Sequence, residues 1–225
     1  MKVTTDSCLF GAWVGEKVKS QKSKIKTVLD IGAGTGLLSL MFAQKNPTIE
    51  IDAIEIDDDA FEQAKENVAK STFANQVHLF HADARKFSFK IKYDLVISNP
   101  PFYQDELKAG SQKKNIAHHS DALSLPELLA LIKNNLAAEG DFFLLLPYKR
   151  LNEFRKLIID QKLNLDEMIL IRQSYNHSYF RIIIHGSFRE EKKSEVVISE
   201  ISIWDEKKQY TKEFVGFLKD YYLNL

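Results

Sequence analysis

The sequence predicts an α/β protein: a mostly parallel sheet with helices on both faces and an antiparallel strand near one edge. Three observations carry this. From residue 27, short apolar runs alternate with helix-period patterns, the signature of βαβ units. A glycine turn, Gly32-Ala33-Gly34-Thr35-Gly36, joins the first of those runs to the first helical pattern. After residue 147, two apolar runs follow one another across a short polar loop, Gln173 to Ser178, which leaves no room for a crossover helix.

Thr27 to Ile31 reads as a buried strand, and Leu37, Leu38, Leu40, Met41 and Phe42 cover one broad face of the helix after the turn. Ile51 to Ile56 is a second strand. Asp57-Asp58-Asp59 supplies caps and favourable charge to a helix that turns Phe61, Ala64 and Val68 inward. Gln76 to Phe80 is a third strand, and Tyr93 to Ser98 a fourth that stops at Asn99-Pro100-Pro101. Pro126 opens a helix expected to run to about Ala138, Gly140 stops it, and Asp141 to Pro147 is a fifth strand. A helix from Leu151 to Asp160 precedes β-rich stretches at Asp166 to Arg172, Tyr179 to Phe188 and Glu195 to Ile203. Residues 211 to 224 close the chain as a helix. The expected organisation is one domain over 1–225, with an N-terminal cap segment (1–26), a core (27–190) and a C-terminal strand and helix (191–225).

The 225 residues balance 31 Lys+Arg against 31 Asp+Glu, with 44% apolar and 28% charged residues, an ordinary globular composition. At this length roughly 70% of the unfolded surface is buried on folding, so no disulfide framework or structural metal is required. The single cysteine, Cys8, permits neither a disulfide nor a CxxC site. Val28 to Ala43, interrupted by Asp30 and three glycines, is shorter than the ~20 apolar residues of a membrane span. The start has no apolar signal-peptide region, and the six histidines show no metal-ligand spacing. A cytoplasmic protein without membrane association or bound metal is expected.

The densest chemical signal is Asp30-Ile31-Gly32-Ala33-Gly34-Thr35-Gly36. Glycines at a strand-to-helix turn let a ligand approach the backbone, at the edge where open α/β sheets bind ligands. The spacing is GxGxG, and Leu37 stands where a dinucleotide fingerprint has its third glycine, which counts against a nicotinamide cofactor. Glu55, 19 residues past Gly36, can accept both ribose hydroxyl protons. Asp83, in His81-Ala82-Asp83-Ala84, can accept from an exocyclic adenine amine. With Asp30 they form a set suited to adenosine carrying an aminoacyl tail. A tight turn flanked by helix caps is the plain alternative, but three acids at the carboxyl ends of three successive strands favour the ligand.

Asn99-Pro100-Pro101-Phe102 leaves the fourth strand at the same edge. Two prolines that merely end a strand would mean no more. However, the Asn99 amide oxygen and the Pro100 carbonyl, stiffened by Pro101, are two acceptors able to clamp a planar NH2 group, and Phe102 offers a face to the ring that carries it. An exocyclic amine is a poor nucleophile because its lone pair is delocalised. Acceptors gripping its hydrogens stabilise the charge that develops as it attacks, so positioning and electrostatics supply most of the rate.

Val28 to Gly36 with Glu55 and Asp83 resembles the class I S-adenosylmethionine-dependent methyltransferases over residues 27 to 190. That resemblance implies a Rossmann-like sheet of seven strands, mostly parallel with one antiparallel strand and helices on both faces, and S-adenosyl-L-methionine as cofactor. It places Asp30, Gly32 and Gly34 beside the methionine part, with Asn99 at the same site, Glu55 on the ribose, and Asp83 and Ala84 near the adenine. Asn99 to Phe102 resembles the (N/D)PP(Y/F) signature of amino-methyltransferases acting on adenine N6, guanine N2 or glutamine amides. The opening Lys2 to Asp6 and Leu9 to Trp13, with Leu29 to Leu38 and Ile97 to Pro101, closely resemble the bacterial tRNA1(Val) (adenine(37)-N6)-methyltransferase family. Its segments read KVxTDxxLxGAW, LDIGAGxGLLxLMxAQ and ISNPPxY. The resemblance implies a tRNA adenine as substrate, and Lys2 to Asp6, including Thr5 and Asp6, as residues that help close the cofactor pocket. The family usually has a short segment ahead of KVxTD, and this chain begins at the motif, so either its start is trimmed or its entry lip is smaller.

RNA binding should leave a basic footprint. Lys17, Lys19, Lys22, Lys24 and Lys26 cluster before the first strand, Lys108, Lys113, Lys114, His118 and His119 lie in the loop from Gln104 to Leu123, and Arg172, Arg181 and Arg189 lie further on. The long loop is the best candidate for a substrate lid. Eight acids and one lysine between Glu50 and Glu66 concentrate negative charge near the ribose site, so the neutral total leaves a moderately basic remainder. A protein-glutamine N5-methyltransferase, an rRNA guanine-N2 methyltransferase and a non-catalytic adenosyl-binding module are the alternatives. A monomer is expected.

Overall fold

Side chains on successive strand positions face opposite ways, and here the two sets feed two separate cores. The computed structural model describes residues 3–20, 25–101, 123–189 and 195–224. Among them run eight strands: β1 (Thr27–Ile31), β2 (Glu50–Glu55), β3 (Val77–His81), β4 (Tyr93–Ser98), β5 (Leu136–Pro147), β6 (Asn164–Ser174), β7 (Tyr179–Ser187) and β8 (Val197–Trp204). They form one sheet in the order β3-β2-β1-β4-β5-β7-β6-β8. β7 alone runs against the rest, antiparallel to both β5 and β6, while β8 lies parallel to β6.

The helices are α1 (Thr5–Ser20), α2 (Leu37–Lys45), α3 (Asp58–Lys70), α4 (Leu125–Asn135), α5 (Leu151–Asp160) and α6 (Lys212–Leu218). One face of the sheet, with Val28, Leu95, Phe143 and Ile183, packs against α1, α2 and α6. The other, with Leu29, Val96, Phe142 and Ile182, packs against α4 and α5. Asp57 caps α3 by accepting from the Ala60 N–H (2.8 Å), as the triple aspartate predicts. Ser124 and Glu127 form a reciprocal capping box around Pro126 at the start of α4.

Three expectations are corrected. The sheet has eight strands, not seven, because the stretch expected at Glu195 to Ile203 pairs with β6 along its length as β8. The α4 helix ends at Asn135, not near Ala138, and Gly140 lies inside β5. There the pairing with β4 jumps from Tyr93–Leu136 to Leu95–Asp141, so the glycine belongs to a bulge rather than to a helix stop. The final helix is shorter than residues 211–224. The N-terminal cap segment contains a 16-residue helix, α1, with Leu9, Phe10, Ala12, Trp13 and Val14 all buried.

Two long-range ion pairs fix α1. Near its start the Asp6 carboxylate accepts from Arg181 Nε on β7 (2.7 Å), and near its end Lys17 reaches Glu167 on β6 (2.5 Å). Between them Trp13 meets Phe143 edge to face at 5.5 Å.

β7 lies closely between β5 and β6 at Gly186. A methyl group on Gly186 would run into the Phe142 ring and the Asn164 carbonyl. Gly186→Ala should therefore destabilise the fold by about 1–3 kcal/mol, read as a lower urea midpoint. An unchanged midpoint would show that this packing relaxes freely.

Candidate active site at the carboxyl edge of the sheet

Parallel pairing brings the predicted residues to one edge in strand order. Asp30 pairs with Ala53 on one side and Ile97 on the other, so Gly32 and Asn99 leave adjacent strands at the same level. Glu55 pairs with His81, and Asp83 follows two residues later. Asp83, Glu55, Gly32 and Asn99 thus emerge from β3, β2, β1 and β4, neighbours about 4.8 Å apart.

Three glycines shape the turn. Gly32, Gly34 and Gly36 have φ of 71°, 58° and 78°, the left-handed region that side chains resist. Gly32 and Ala33 both donate to the Ile54 carbonyl (2.9 and 3.0 Å), which folds the turn over the end of β2. A Cβ on Gly32 would have nothing within 4 Å, so the backbone there faces open space.

Asp30 is wholly buried. Ser39 Oγ donates to its Oδ2 (2.7 Å), while Oδ1 is one of three buried side-chain polar atoms without a hydrogen-bond partner among the described residues. Burial pushes the carboxyl up to about 7; the Ser39 bond opposes the shift and the Glu55 charge adds to it.

Glu55 is buried, and both its oxygens accept from backbone. Its Oε2 accepts from Gly34 N (2.7 Å) and its Oε1 from Ile56 N and Asp57 N (both 2.9 Å). A carboxylate has about four lone-pair sites, so a ribose hydroxyl must use the remaining capacity or displace one of these donors. Asp83 is likewise held: Arg85 grips both carboxylate oxygens through Nε and NH2 at 2.9–3.1 Å. That guanidinium keeps the Asp83 carboxyl below its ordinary range. Ala84 is half-buried in the turn that follows.

At the reacting end Ser98 Oγ donates to the Ile31 carbonyl (2.6 Å) and ties β4 to the base of the glycine turn. Asn99 Nδ2 donates to Ser7 Oγ (2.8 Å), and Ser7 Oγ lies 2.7 Å from Thr4 Oγ1. Pro100 is buried and Pro101 exposed. Phe102 and Lys2 lie outside the described residues, as do Lys22, Lys24 and the loop from Gln104 as far as residue 122. Thr5 opens α1 at this edge. Asp6 is placed differently from expectation, since its carboxylate is taken up by Arg181.

Ser7, Ser39 and Arg85 hold Asn99, Asp30 and Asp83 and are not singled out by the sequence, while Arg181, expected among the basic residues for RNA, binds Asp6. Only Ser7, adjacent to Thr5 and Asp6, carried a local signal. The basic clusters divide: Arg172 and Arg181 lie toward this edge, whereas Lys17 is bound to Glu167 and Arg189 to Asp141 (2.7 Å), near the start of the regular part of β5 at the opposite edge. A groove of about 790 Å³ also lies at that opposite edge, between Ile158, Leu163 and Phe188, with Arg189 in its lining and none of the residues expected to hold cofactor or amine.

Residues 16–140 match the methyltransferase small domain family. The chain is 36% identical over its whole length to a tRNA1(Val) (adenine(37)-N6)-methyltransferase of Parabacteroides distasonis, covering 92% of that protein. It is 38% identical to a protein of the same name in Dyadobacter fermentans over 99% of this chain and 91% of the relative. Among solved structures, a predicted O-methyltransferase of Agrobacterium tumefaciens superposes with a TM-score of 0.69 at 14% identity, over 95% of each chain, a likeness of fold.

The elevated Asp30 carboxyl has a stability consequence. Its folded value, about 7, lies above the ordinary aspartate value of about 3.9, so the folded state holds the extra proton. Stability associated with this group is full below about pH 4 and lost as pH rises to about 7. Asp30→Asn, which cannot ionise, should gain a few kcal/mol relative to the parent between pH 4 and pH 8, read by urea denaturation. A difference that does not change with pH would show that Asp30 ionises normally.

Proposed function

We propose, because this chain belongs to the methyltransferase small domain family and to the family of the tRNA1(Val) (adenine(37)-N6)-methyltransferases, that it methylates N6 of an adenine in tRNA, adenine 37 of tRNA1(Val) as the relatives' names state. The observation that carries the reading is the level juxtaposition of Asn99-Pro100-Pro101 with the glycine turn on adjacent strands.

The site residues fit S-adenosyl-L-methionine. Asp30 Oδ1 is a buried acceptor without a donor, beside the open space over Gly32, and an ammonium group is a donor of matching charge. Asp30, Gly32 and Gly34 would hold the aminoacyl part with Thr5 at its mouth, Glu55 the ribose, and Asp83 with Ala84 the adenine. When bound, the cofactor supplies an electrophilic methyl group on a sulfonium sulfur.

The chain's own residues then act on the target amine. The Asn99 nitrogen is engaged by Ser7, which leaves Oδ1 as the atom that accepts from the substrate NH2. The Pro100 carbonyl accepts the second hydrogen, and Phe102 stacks on the base. Gripped this way, the nitrogen lone pair would be drawn out of conjugation toward the methyl carbon; as the N–C bond formed the methyl–sulfur bond would break, leaving the cofactor as a neutral thioether, and the proton would then leave to solvent. An adenine held in an RNA loop must be turned out of its stack to enter.

One sheet continuous from β3 to β8 supports a single methyltransferase domain. No helix among the described residues is long and apolar enough to cross a membrane. A tRNA substrate, as the relatives' names state, favours a cytoplasmic enzyme; a monomer working without a metal is part of the same proposal.

Incubation with unmodified total tRNA and nucleoside mass analysis should yield N6-methyladenosine. Methylated guanine, or transfer only to protein, would overturn the assignment. Asn99→Ala should lower turnover by ~100-fold or more with cofactor affinity retained by calorimetry, and a fully active variant would remove Asn99 from the mechanism.

A further inference from the structure

The reversed strand β7 builds a second surface beside this site. Because β7 is antiparallel, its first residues stand at the carboxyl edge. Arg181 pairs with Pro147 at the end of β5, and Tyr179 pairs with Arg172 near the end of β6. A 3₁₀ turn at Tyr148–Arg150 continues from β5, and the short link after Ser174 carries Tyr175. Four aromatic residues and two arginines therefore gather where three strands end or begin.

Their geometry is that of a layered platform. The Arg172 guanidinium lies 5.2 Å from the Tyr175 ring and 5.5 Å from the Tyr179 ring. It is held in plane by Ser202 Oγ (2.8 Å) and Glu200 (3.1 Å). Tyr148 meets Tyr179 at 5.4 Å between ring centroids, and Arg181 lies 5.8 Å from the Phe180 ring. Tyr175 is 50% exposed, a large aromatic surface left to solvent at the outer end of the strip.

The strip is joined to the reacting end. Asp6 and Ser7 are consecutive residues of α1; the first binds Arg181 and the second Asn99. Arg181 thus ties β7 to the reacting end from the α1 side of the sheet, and the strip of Tyr148, Tyr179, Arg172 and Tyr175 lies beside it at the same edge, across β7 and β6, about 10–15 Å from β4 at the usual strand spacing.

Aromatic rings alternating with guanidinium planes suit one kind of occupant. Unstacked nucleobases bind such surfaces by stacking and cation–π contact, whatever their sequence. An apolar peptide would need aliphatic pockets, which this strip does not offer. A base flipped into the Asn99 site leaves its neighbours without stacking partners, and a surface beginning beside that site can replace them.

We propose that Tyr148, Arg172, Tyr175 and Tyr179 form the stacking surface for the single-stranded RNA nucleotides flanking the target adenine. This deepens the function proposed above and rests on that reading.

Tyr175→Ala and Tyr175→Phe test it, since an exposed link residue can be changed without unfolding the protein, as a matching thermal midpoint verifies. Methylation of tRNA, binding of a fluorescent anticodon stem-loop and cofactor binding are measured separately. With Tyr175→Ala the tRNA KM and the stem-loop Kd should rise roughly five- to 150-fold, the loss carried by one base–aromatic stack. The kcat at saturating RNA and the cofactor Kd stay unchanged, and Tyr175→Phe restores binding. Unchanged KM and stem-loop affinity in Tyr175→Ala would overturn the proposal while leaving the methyltransferase assignment intact. Tyr175-dependent stem-loop binding without adenine methylation would uphold the platform and sink the assigned reaction. Tyr175-dependent methylation of a protein amide, with no stem-loop binding, would overturn the platform as an RNA surface.

Discussion

The Glu55 carboxylate is the constraint from which the rest of the site follows. It accepts three backbone N–H groups, one from the glycine turn and two from the start of the loop into α3, and so joins the ends of β1 and β2. With the Ile54 carbonyl taking two more donors from the same turn, the left-handed path of Gly32 to Gly36 is over-determined. That path sets where α2 departs, α2 supports α1 in the shared core, and α1 delivers Ser7 to Asn99. A buried carboxylate that stitches backbone in this way is hard to replace, because its loss strands several donors at once.

A second polar cluster lies across the sheet from the site. His185 is buried between Asp141 and Glu167, with Arg189 bonded to the same Asp141 oxygen. Burial pulls the imidazole down, but the hydrogen bond to Asp141 and the Glu167 carboxylate 3.9 Å away outweigh it, and the net shift is upward. Asp141, Asp166 and His185 lie close enough to suggest a metal site, yet Arg189 already places its cationic head against Asp141 and 3.9 Å from Asp166. Through Glu167 the cluster reaches Lys17 near the far end of α1, while Asp6 binds Arg181 near its start.

Much of this was legible along the chain, and the failures have physical causes. β1, β4 and α5 stand where their apolar patterns place them, because each is bounded by a strong local signal: the glycine turn, the double proline, the polar ends of an amphipathic stripe. The α1 helix left no such stripe, since residues 6 to 15 are buried without interruption and a helix enclosed on nearly all sides loses its periodicity. Gly140 looks like a helix stop in sequence, and only pairing with β4 shows it to be a bulge. The acids at the strand ends could be read because topology sends every parallel strand to one edge. Their partners could not, since Arg181 is 175 positions from Asp6 and Ser7 is 92 from Asn99; contacts of that span are written in the fold alone.

The single reversed strand has a consequence for how such a protein can change. In an all-parallel sheet every strand beyond β5 would reach the catalytic edge through a crossover helix, and altering that approach would disturb a core. Here β6 and β7 are joined by a four-residue link, Tyr175 to Ser178, of exposed residues. Such a link can be lengthened, shortened or recoloured with different side chains at little thermodynamic cost. The reversal thus separates the link from the glycine turn and its hydrogen bonds, so that side chains at this end of the edge can be exchanged without disturbing the backbone that shapes the site.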